Sequence, residues 1–203
     1  MIQIINNFYN QETIDHLKSL SDKCLGITCG NSNKSDDLSI ISPEFNEHFC
    51  KHMFRMFNLD ANKVFVNTHI TKQQYRENSV NGRIHIDGRN PFLCEVNPDN
   101  YKLLFCGLVF ISDVIDTNSG ISFYETNPQN NWTKQEEFEI TLDKCYTYND
   151  VQLEEYHKLF HETVVVKNVS NRFVSWKAGT KHRIGNMSIQ KERIVQNFYI
   201  SLV

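Results

Sequence analysis

The sequence lacks the features that mark several large functional classes. No stretch of its 203 residues approaches the length of an apolar membrane span, and its first residues form no secretory signal. The net charge of -3 gives no basic excess for general nucleic-acid binding. The six cysteines form no Cys-x-x-Cys pair. We therefore expect a cytoplasmic protein with reduced thiols, which contacts neither a membrane nor nucleic acid in general.

The composition and the order of the predicted elements indicate one globular domain. Hydrophobic residues make up 40% and charged residues 22%, and residues 1–203 are enough to bury a core. Two helices come first, at 11–21 and from Pro43 onward, and strands dominate afterwards. The predicted strands are 64–71, 83–87, 103–112, 121–125, 163–169, 172–177 and 193–202. Helices followed by many strands indicate an α+β fold, and this number of antiparallel strands suggests a cupin-like jelly roll.

One short segment carries two residue types that suit a metal site, histidine and aspartate. In Arg83-Ile84-His85-Ile86-Asp87, isoleucines alternate with polar residues, which predicts a short strand. A period of two places His85 and Asp87 on the same face, about 6.6 Å apart along the strand. His182 lies far downstream, after a predicted turn at Ala178-Gly179. Two imidazoles and one carboxylate form the facial triad that holds non-haem Fe(II) and leaves coordination positions open.

The last predicted strand has two unlike faces. Residues at odd positions, from Arg193 through Tyr199 to Ser201, form a semi-polar face that suits a binding site. The alternate residues are mostly apolar and suit packing beneath helices. Arg193 is always positively charged and can bind a carboxylate through bidentate hydrogen bonds.

Together these features resemble the prolyl-hydroxylase-like group of Fe(II)/2-oxoglutarate-dependent oxygenases. The resemblance covers almost the whole chain and depends on the order and spacing of its motifs. The matching segments are 4–12, His85-Ile86-Asp87, 103–111 leading to Ser119-Gly120-Ile121-Ser122-Phe123-Tyr124, 171–183 and Arg193. The glycine pair and threonine often seen after the central strand of that group appear here only as Ser119-Gly120-Ile121-Ser122.

The resemblance implies a fold, a cofactor set and a reaction. The fold would be a double-stranded β-helix with the N-terminal helices packed on the major sheet, and residues 126–162 would form an insert or a lid. His85, Asp87 and His182 would bind Fe(II), and Arg193 would bind the distal carboxylate of the cosubstrate 2-oxoglutarate, with Tyr199 or Ser201 adding a hydrogen bond. The reaction would use O2 to hydroxylate an unactivated C–H bond of an amino acid, a peptidyl residue or a small metabolite, giving succinate and CO2.

Other interpretations of the same residues stay open at this point. The chain could be a non-catalytic jelly-roll binding module, or a cupin-like metalloenzyme that does not use 2-oxoglutarate. The pairs His48/His52 and His157/His161 are each four residues apart, but neither has an obvious third ligand, so we interpret them as surface or half-buried histidines. His69, Asn67 and Thr71 share a strand face that could line the pocket, and Arg89 and Trp176 are candidates for contact with the substrate.

Overall fold

The computed structural model of the protein describes residues 1–22, 36–39, 43–73, 83–87, 102–113, 120–185 and 193–202. The described helices and strands, in chain order, are β1 (Ile2–Asn6), α1 (Gln11–Asp22), β2 (Asp36–Ser39), α2 (Pro43–Met56), β3 (Val64–Gln73), β4 (Lys102–Phe110), β5 (Ile121–Thr126), α3 (Lys134–Leu142), a 3-10 turn (Lys144–Thr147), α4 (Asp150–His157), β6 (Phe160–Val166), β7 (Arg172–Lys177), β8 (His182–Ile184) and β9 (Arg193–Leu202). Within these parts of the chain, no helix combines the length and the apolar character that crossing a membrane requires.

The strands form two sheets in which neighbouring strands run antiparallel. The larger sheet has six strands in the order β1-β7-β4-β9-β3-β2, and the smaller has three in the order β6-β5-β8. The α+β class with mainly antiparallel strands, predicted from the sequence, is therefore confirmed.

Apolar side chains cover both faces of the six-stranded sheet. On one face, Ile14 and Leu17 of α1 and Phe49 and Met53 of α2 pack against strand residues such as Phe198. On the other face, residues of the small sheet join a second cluster with those of the large sheet: Phe123 of β5 contacts Trp176 of β7, with ring centroids 5.5 Å apart. The N-terminal helices therefore pack on the major sheet, as predicted, and the opposite face of that sheet faces the small sheet.

The alternation of side chains along β9 explains how one strand contributes residues to both hydrophobic clusters. Phe198 and Ile200 belong to the helix-side cluster, whereas Val195 and Tyr199 belong to the cluster between the sheets. This is the two-faced division that the sequence predicts.

The helices begin where their capping residues predict. Asn10 caps α1, since its side-chain oxygen accepts a hydrogen bond from the backbone N–H of Thr13 at 2.8 Å. Pro43 is the first residue of α2, a position where the missing N–H of proline has no cost.

Two strand predictions need correction. Residues 83–87 do not form a strand: within this segment only His85 makes a β-bridge, to His182. The reason is that the N–H of Ile86 donates to the carbonyl of Thr141 instead of to a neighbouring strand. The strand predicted at 163–169 lies earlier, at Phe160–Val166, and pairs with β5 there.

Candidate metal and cosubstrate site

The structure brings together His85, Asp87 and His182, which are far apart in the sequence. His182 is the first residue of β8, and its backbone exchanges two hydrogen bonds with that of His85, at 3.0 and 2.9 Å. This bridge places the two imidazoles side by side, with ring centroids 4.4 Å apart. Asp87 lies two residues beyond His85, so alternation along the chain turns its carboxylate to the same side.

The candidate ligand atoms converge on one point. Nε2 of His182 lies 3.3 Å from Oδ2 of Asp87, and Nε2 of His85 lies 3.9 Å from Oδ1. Three candidate ligand atoms, one from each side chain, lie within 4.8 Å of one another, and no other group of three or more His, Cys, Asp or Glu residues does so in the described parts of the chain. Bonds of about 2.0–2.2 Å from a divalent ion to nitrogen and oxygen hold adjacent ligand atoms about 3 Å apart. Small side-chain rotations therefore suffice to complete a metal site.

Backbone carbonyls hold both imidazoles in the orientation that metal binding needs. Nδ1 of His85 lies 2.9 Å from the carbonyl oxygen of Arg83, and Nδ1 of His182 lies 2.9 Å from that of Thr180. Because a carbonyl oxygen only accepts hydrogen bonds, each Nδ1 carries the proton and each Nε2 presents its lone pair to the site. The donor set therefore fits a metal of the non-haem iron type.

The site is buried on one side and reachable on the other. The His182 side chain is 5% exposed and packs against the Trp176 ring, 4.8 Å away, whereas the side chains of His85 and Asp87 are each 20% exposed. One side of the triad is thus fixed in the core between the sheets. The other side is accessible to small molecules.

Cys106 is a neighbour of the site that the sequence did not reveal. This buried cysteine of β4 lies close enough to Asp87 for the carboxylate to act on its thiol. Burial raises the pKa of the Cys106 thiol well above its usual range, and the charge of Asp87 raises it further. Cys106 therefore stays a neutral thiol beside the carboxylate.

Arg193 is a buried cation near the start of β5, whereas His182 of the triad pairs with the middle of that strand. Only 2% of the residue is exposed, and its Nη1 donates to the carbonyl of Gly120 at 3.5 Å. Gly120 precedes β5, in which Phe123 pairs with His182. Arg193 therefore lies beside residue 120 and His182 beside residue 123, and three residues of extended chain span about 10 Å. A five-carbon dicarboxylate, with a metal bond at one end and a hydrogen bond at the other, spans about the same distance.

Tyr199 and Ser201 share the inward side of β9 with Arg193 but lie farther along the strand. Six and eight residues separate them from Arg193, about 20 and 26 Å of strand. They therefore cannot contact the same carboxylate as Arg193. Tyr199 lies opposite Cys106 and stacks on His69, with centroids 6.0 Å apart. A contact between Tyr199 or Ser201 and the cosubstrate stays a prediction.

The remaining candidates lie in different surroundings. His69 and Thr71 are buried beside Asn197, whose Nδ2 donates to Oγ1 of Thr71 at 2.7 Å, so a polar group borders the inner face of β3 and β9. Trp176 is next to the triad, as described above. His48, His52 and His161 are exposed, His157 lies 3.4 Å from the guanidinium of Arg183, and Arg89 lies outside the described residues.

Comparisons with known proteins identify the fold. No family model and no curated protein matches the sequence. Among solved structures, HygX from Streptomyces hygroscopicus, with nickel, 2-oxoglutarate and hygromycin B bound, is 10% identical with a TM-score of 0.61, covering 98% of this chain and 82% of that one. The chain has the fold of a 2-oxoglutarate-binding protein.

Two hydroxylases extend this likeness. The viral collagen prolyl hydroxylase of Paramecium bursaria Chlorella virus-1, in its 2-oxoglutarate complex, is 12% identical with a TM-score of 0.55, over 100% of this chain and 96% of the other. A Pseudomonas putida prolyl-4-hydroxylase is 10% identical with a TM-score of 0.53, over 98% and 91%. The resemblance to the prolyl-hydroxylase-like group is confirmed at the level of the fold.

Proposed function

We propose that the protein is an Fe(II)- and 2-oxoglutarate-dependent dioxygenase that hydroxylates an unactivated C–H bond. The observation that carries the proposal is the pairing of two features: the convergent His85–Asp87–His182 set and the buried cation Arg193, about 10 Å away along β5. A sugar-binding or protein-binding jelly roll needs neither feature. We also propose that the two facing sheets form a double-stranded β-helix, which the likeness to 2-oxoglutarate-binding structures supports.

The roles of the residues follow from their surroundings. Nε2 of His85, Nε2 of His182 and a carboxylate oxygen of Asp87 would hold Fe(II), leaving the remaining positions for cosubstrate and O2. Bound iron would supply the coupled oxidation in which 2-oxoglutarate and O2 become succinate and CO2 while one oxygen atom enters the substrate C–H bond. Arg193 would bind the distal carboxylate of 2-oxoglutarate and so fix the direction in which the cosubstrate enters.

The core between the sheets contributes by excluding water. Trp176 and Phe123 pack around His182, so the inner side of the site is apolar and closed. Charge interactions are stronger in such surroundings than in water, which favours tight binding of the anionic cosubstrate by Arg193. A closed inner side also limits side reactions at the metal.

The substrate class stays broad. HygX is solved with hygromycin B, a small molecule, and the viral protein is a collagen prolyl hydroxylase. We propose a free amino acid, a peptidyl residue or a small metabolite as the substrate, reaching the metal from the side on which His85 and Asp87 are partly exposed.

An anaerobic titration with Fe(II) and 2-oxoglutarate tests the proposal. The expected result is a visible metal-to-ligand charge-transfer band that disappears in His85→Ala and needs far more 2-oxoglutarate in Arg193→Ala. Folded, metal-loaded wild-type protein without a band would overturn the proposal and favour a binding module or a metalloenzyme that does not use 2-oxoglutarate.

A further inference from the structure

The insert between β5 and β6 packs against the segment that carries two of the three proposed metal ligands. Ile84, the residue before His85, is 1% exposed and is buried in a cluster formed mainly by this insert. The cluster's other buried members are Tyr124, Cys145, Leu153, Tyr156 and Phe160. The apolar side of the segment 83–87 therefore rests on the insert, while His85 and Asp87 on its polar side face the site.

Three hydrogen bonds join the segment to three different parts of the insert. The N–H of Ile86 donates to the carbonyl of Thr141 at the end of α3, at 3.2 Å. The hydroxyl of Tyr156 on α4 donates to the carbonyl of Ile84 at 2.7 Å, and Nε of Arg83 donates to the carbonyl of Cys145 at 2.9 Å. The first two bonds hold the backbone on both sides of His85, and the third holds the side chain of Arg83.

The sheets themselves hold this segment only weakly. Within residues 83–87, the β-pairing consists of the bridge between His85 and His182. Its two hydrogen bonds use one group of each peptide plane beside His85, namely the N–H and the C=O of His85 itself. The other group of each plane, the C=O of Ile84 or the N–H of Ile86, bonds to the insert, which therefore helps to set the directions of the His85 and Asp87 side chains.

We infer that the insert is the positioning element of the metal centre, and that Tyr156 is its principal positioning residue. The identification of the site as a metal centre rests on the proposed function. Tyr156 acts through the backbone: its hydroxyl, on a residue that is 3% exposed, holds the carbonyl of Ile84 and thereby the peptide plane that leads into His85. The role of the insert as a lid over the substrate stays a separate prediction.

The variant Tyr156→Phe tests the inference, because it removes only the hydroxyl that bonds to the carbonyl of Ile84. Co(II), which binds Fe(II) sites without oxidising readily, is titrated into metal-free protein and followed by its visible absorption. Groups that orient metal ligands typically change metal affinity about 10- to 100-fold, so we expect a dissociation constant about tenfold higher. Tyr148→Phe is the matched control, because Tyr148 packs edge-on against Tyr156 in the same cluster, with centroids 5.4 Å apart, and has no described bond to residues 83–87.

Hydrogen exchange in the metal-free protein gives a readout that does not depend on cofactors. The amide of Ile86 should exchange about tenfold faster in Tyr156→Phe, while amides of β7 keep wild-type rates. If Tyr156→Phe does not fold, Arg83→Met removes the bond to Cys145 and is expected to act in the same direction.

Two outcomes separate the inference from the proposed function. Co(II) affinity and Ile86 exchange within twofold of wild type in the folded variants would overturn the inference while leaving the metal site intact. Absence of Co(II) binding by wild-type protein, together with faster exchange in Tyr156→Phe, would overturn the proposed function but support the positioning of residues 83–87.

Discussion

Replacing Arg193 with methionine removes the proposed anchor of 2-oxoglutarate while keeping a side chain of similar length. In the wild type the whole Arg193 residue is 2% exposed, so a carboxylate bound to its guanidinium is shielded from water. A hydrogen bond to a charged group contributes about 1.5–3 kcal/mol to stability. Truncating one partner of a buried charge pair at an interface costs about 2–5 kcal/mol of binding free energy. At about 1.4 kcal/mol per tenfold, a loss near 3 kcal/mol weakens 2-oxoglutarate binding about 100-fold.

The assay compares two ligands so that a general disturbance of the site is recognised. 2-Oxopentanoate has the same chain length and the same 2-oxo acid end but carries a methyl group in place of the distal carboxylate. Titrated against the Fe(II) protein without oxygen, wild type should prefer 2-oxoglutarate about 100-fold, and Arg193→Met should bind the two acids about equally.

Arg183→Met is the matched control, since this neighbour of His182 directs its guanidinium over the ring of Tyr124, 5.3 Å away. This variant should keep the wild-type preference for 2-oxoglutarate. A preference that survives in Arg193→Met would refute the assignment of Arg193, even if both ligands bound more weakly.

Two further predictions concern stability. Burial lowers the pKa of His69 to about 4, below its usual value near 6.5. Between these two pH values His69 binds a proton in the unfolded state but not in the folded state, so protonation favours unfolding. The neutral His69 therefore contributes up to about 3 kcal/mol to the free energy of unfolding. This contribution is fully present above pH 6.5 and is lost as the pH falls towards 4. Urea unfolding across this range should show the loss, with a flatter profile in His69→Gln; equal profiles would contradict it. Gly107→Ala should destabilise the protein by about 2 kcal/mol in the same assay, because a Cβ there would overlap Phe198 and the carbonyl of Val174. An unchanged midpoint would show that β4 shifts to make room.

The sequence was sufficient to predict features that depend on local alternation. The two faces of β9, the same-side placement of His85 and Asp87, and the cap at Asn10 all follow from spacing within a few residues. We predicted that His182 lies beside His85 from the chemistry of the ligand set and from the family resemblance, since no local spacing relates the two residues.

Features that depend on long-range contacts could not be predicted in the same way. Alternation in residues 83–87 was correctly assigned to burial but wrongly assigned to a strand, because the partner of the Ile86 N–H is the carbonyl of Thr141 in the insert. The contact between Cys106 and Asp87 depends on how β4 faces a segment about twenty residues earlier in the chain, and no local pattern encodes that. Strand β2 (Asp36–Ser39) has too few apolar residues to give a strand signal.

The position of β9 in the large sheet has a consequence for how the chain folds. This strand lies between β3 and β4, and Val64 of β3 pairs with Leu202. Such pairings close very long loops, so we expect slow folding with a high contact order. During synthesis, β3 and β4 each keep an unpaired edge until residues 193–202 leave the ribosome. Arg193 arrives on that same strand, so the nascent chain can gain the proposed cosubstrate anchor only when its central sheet closes.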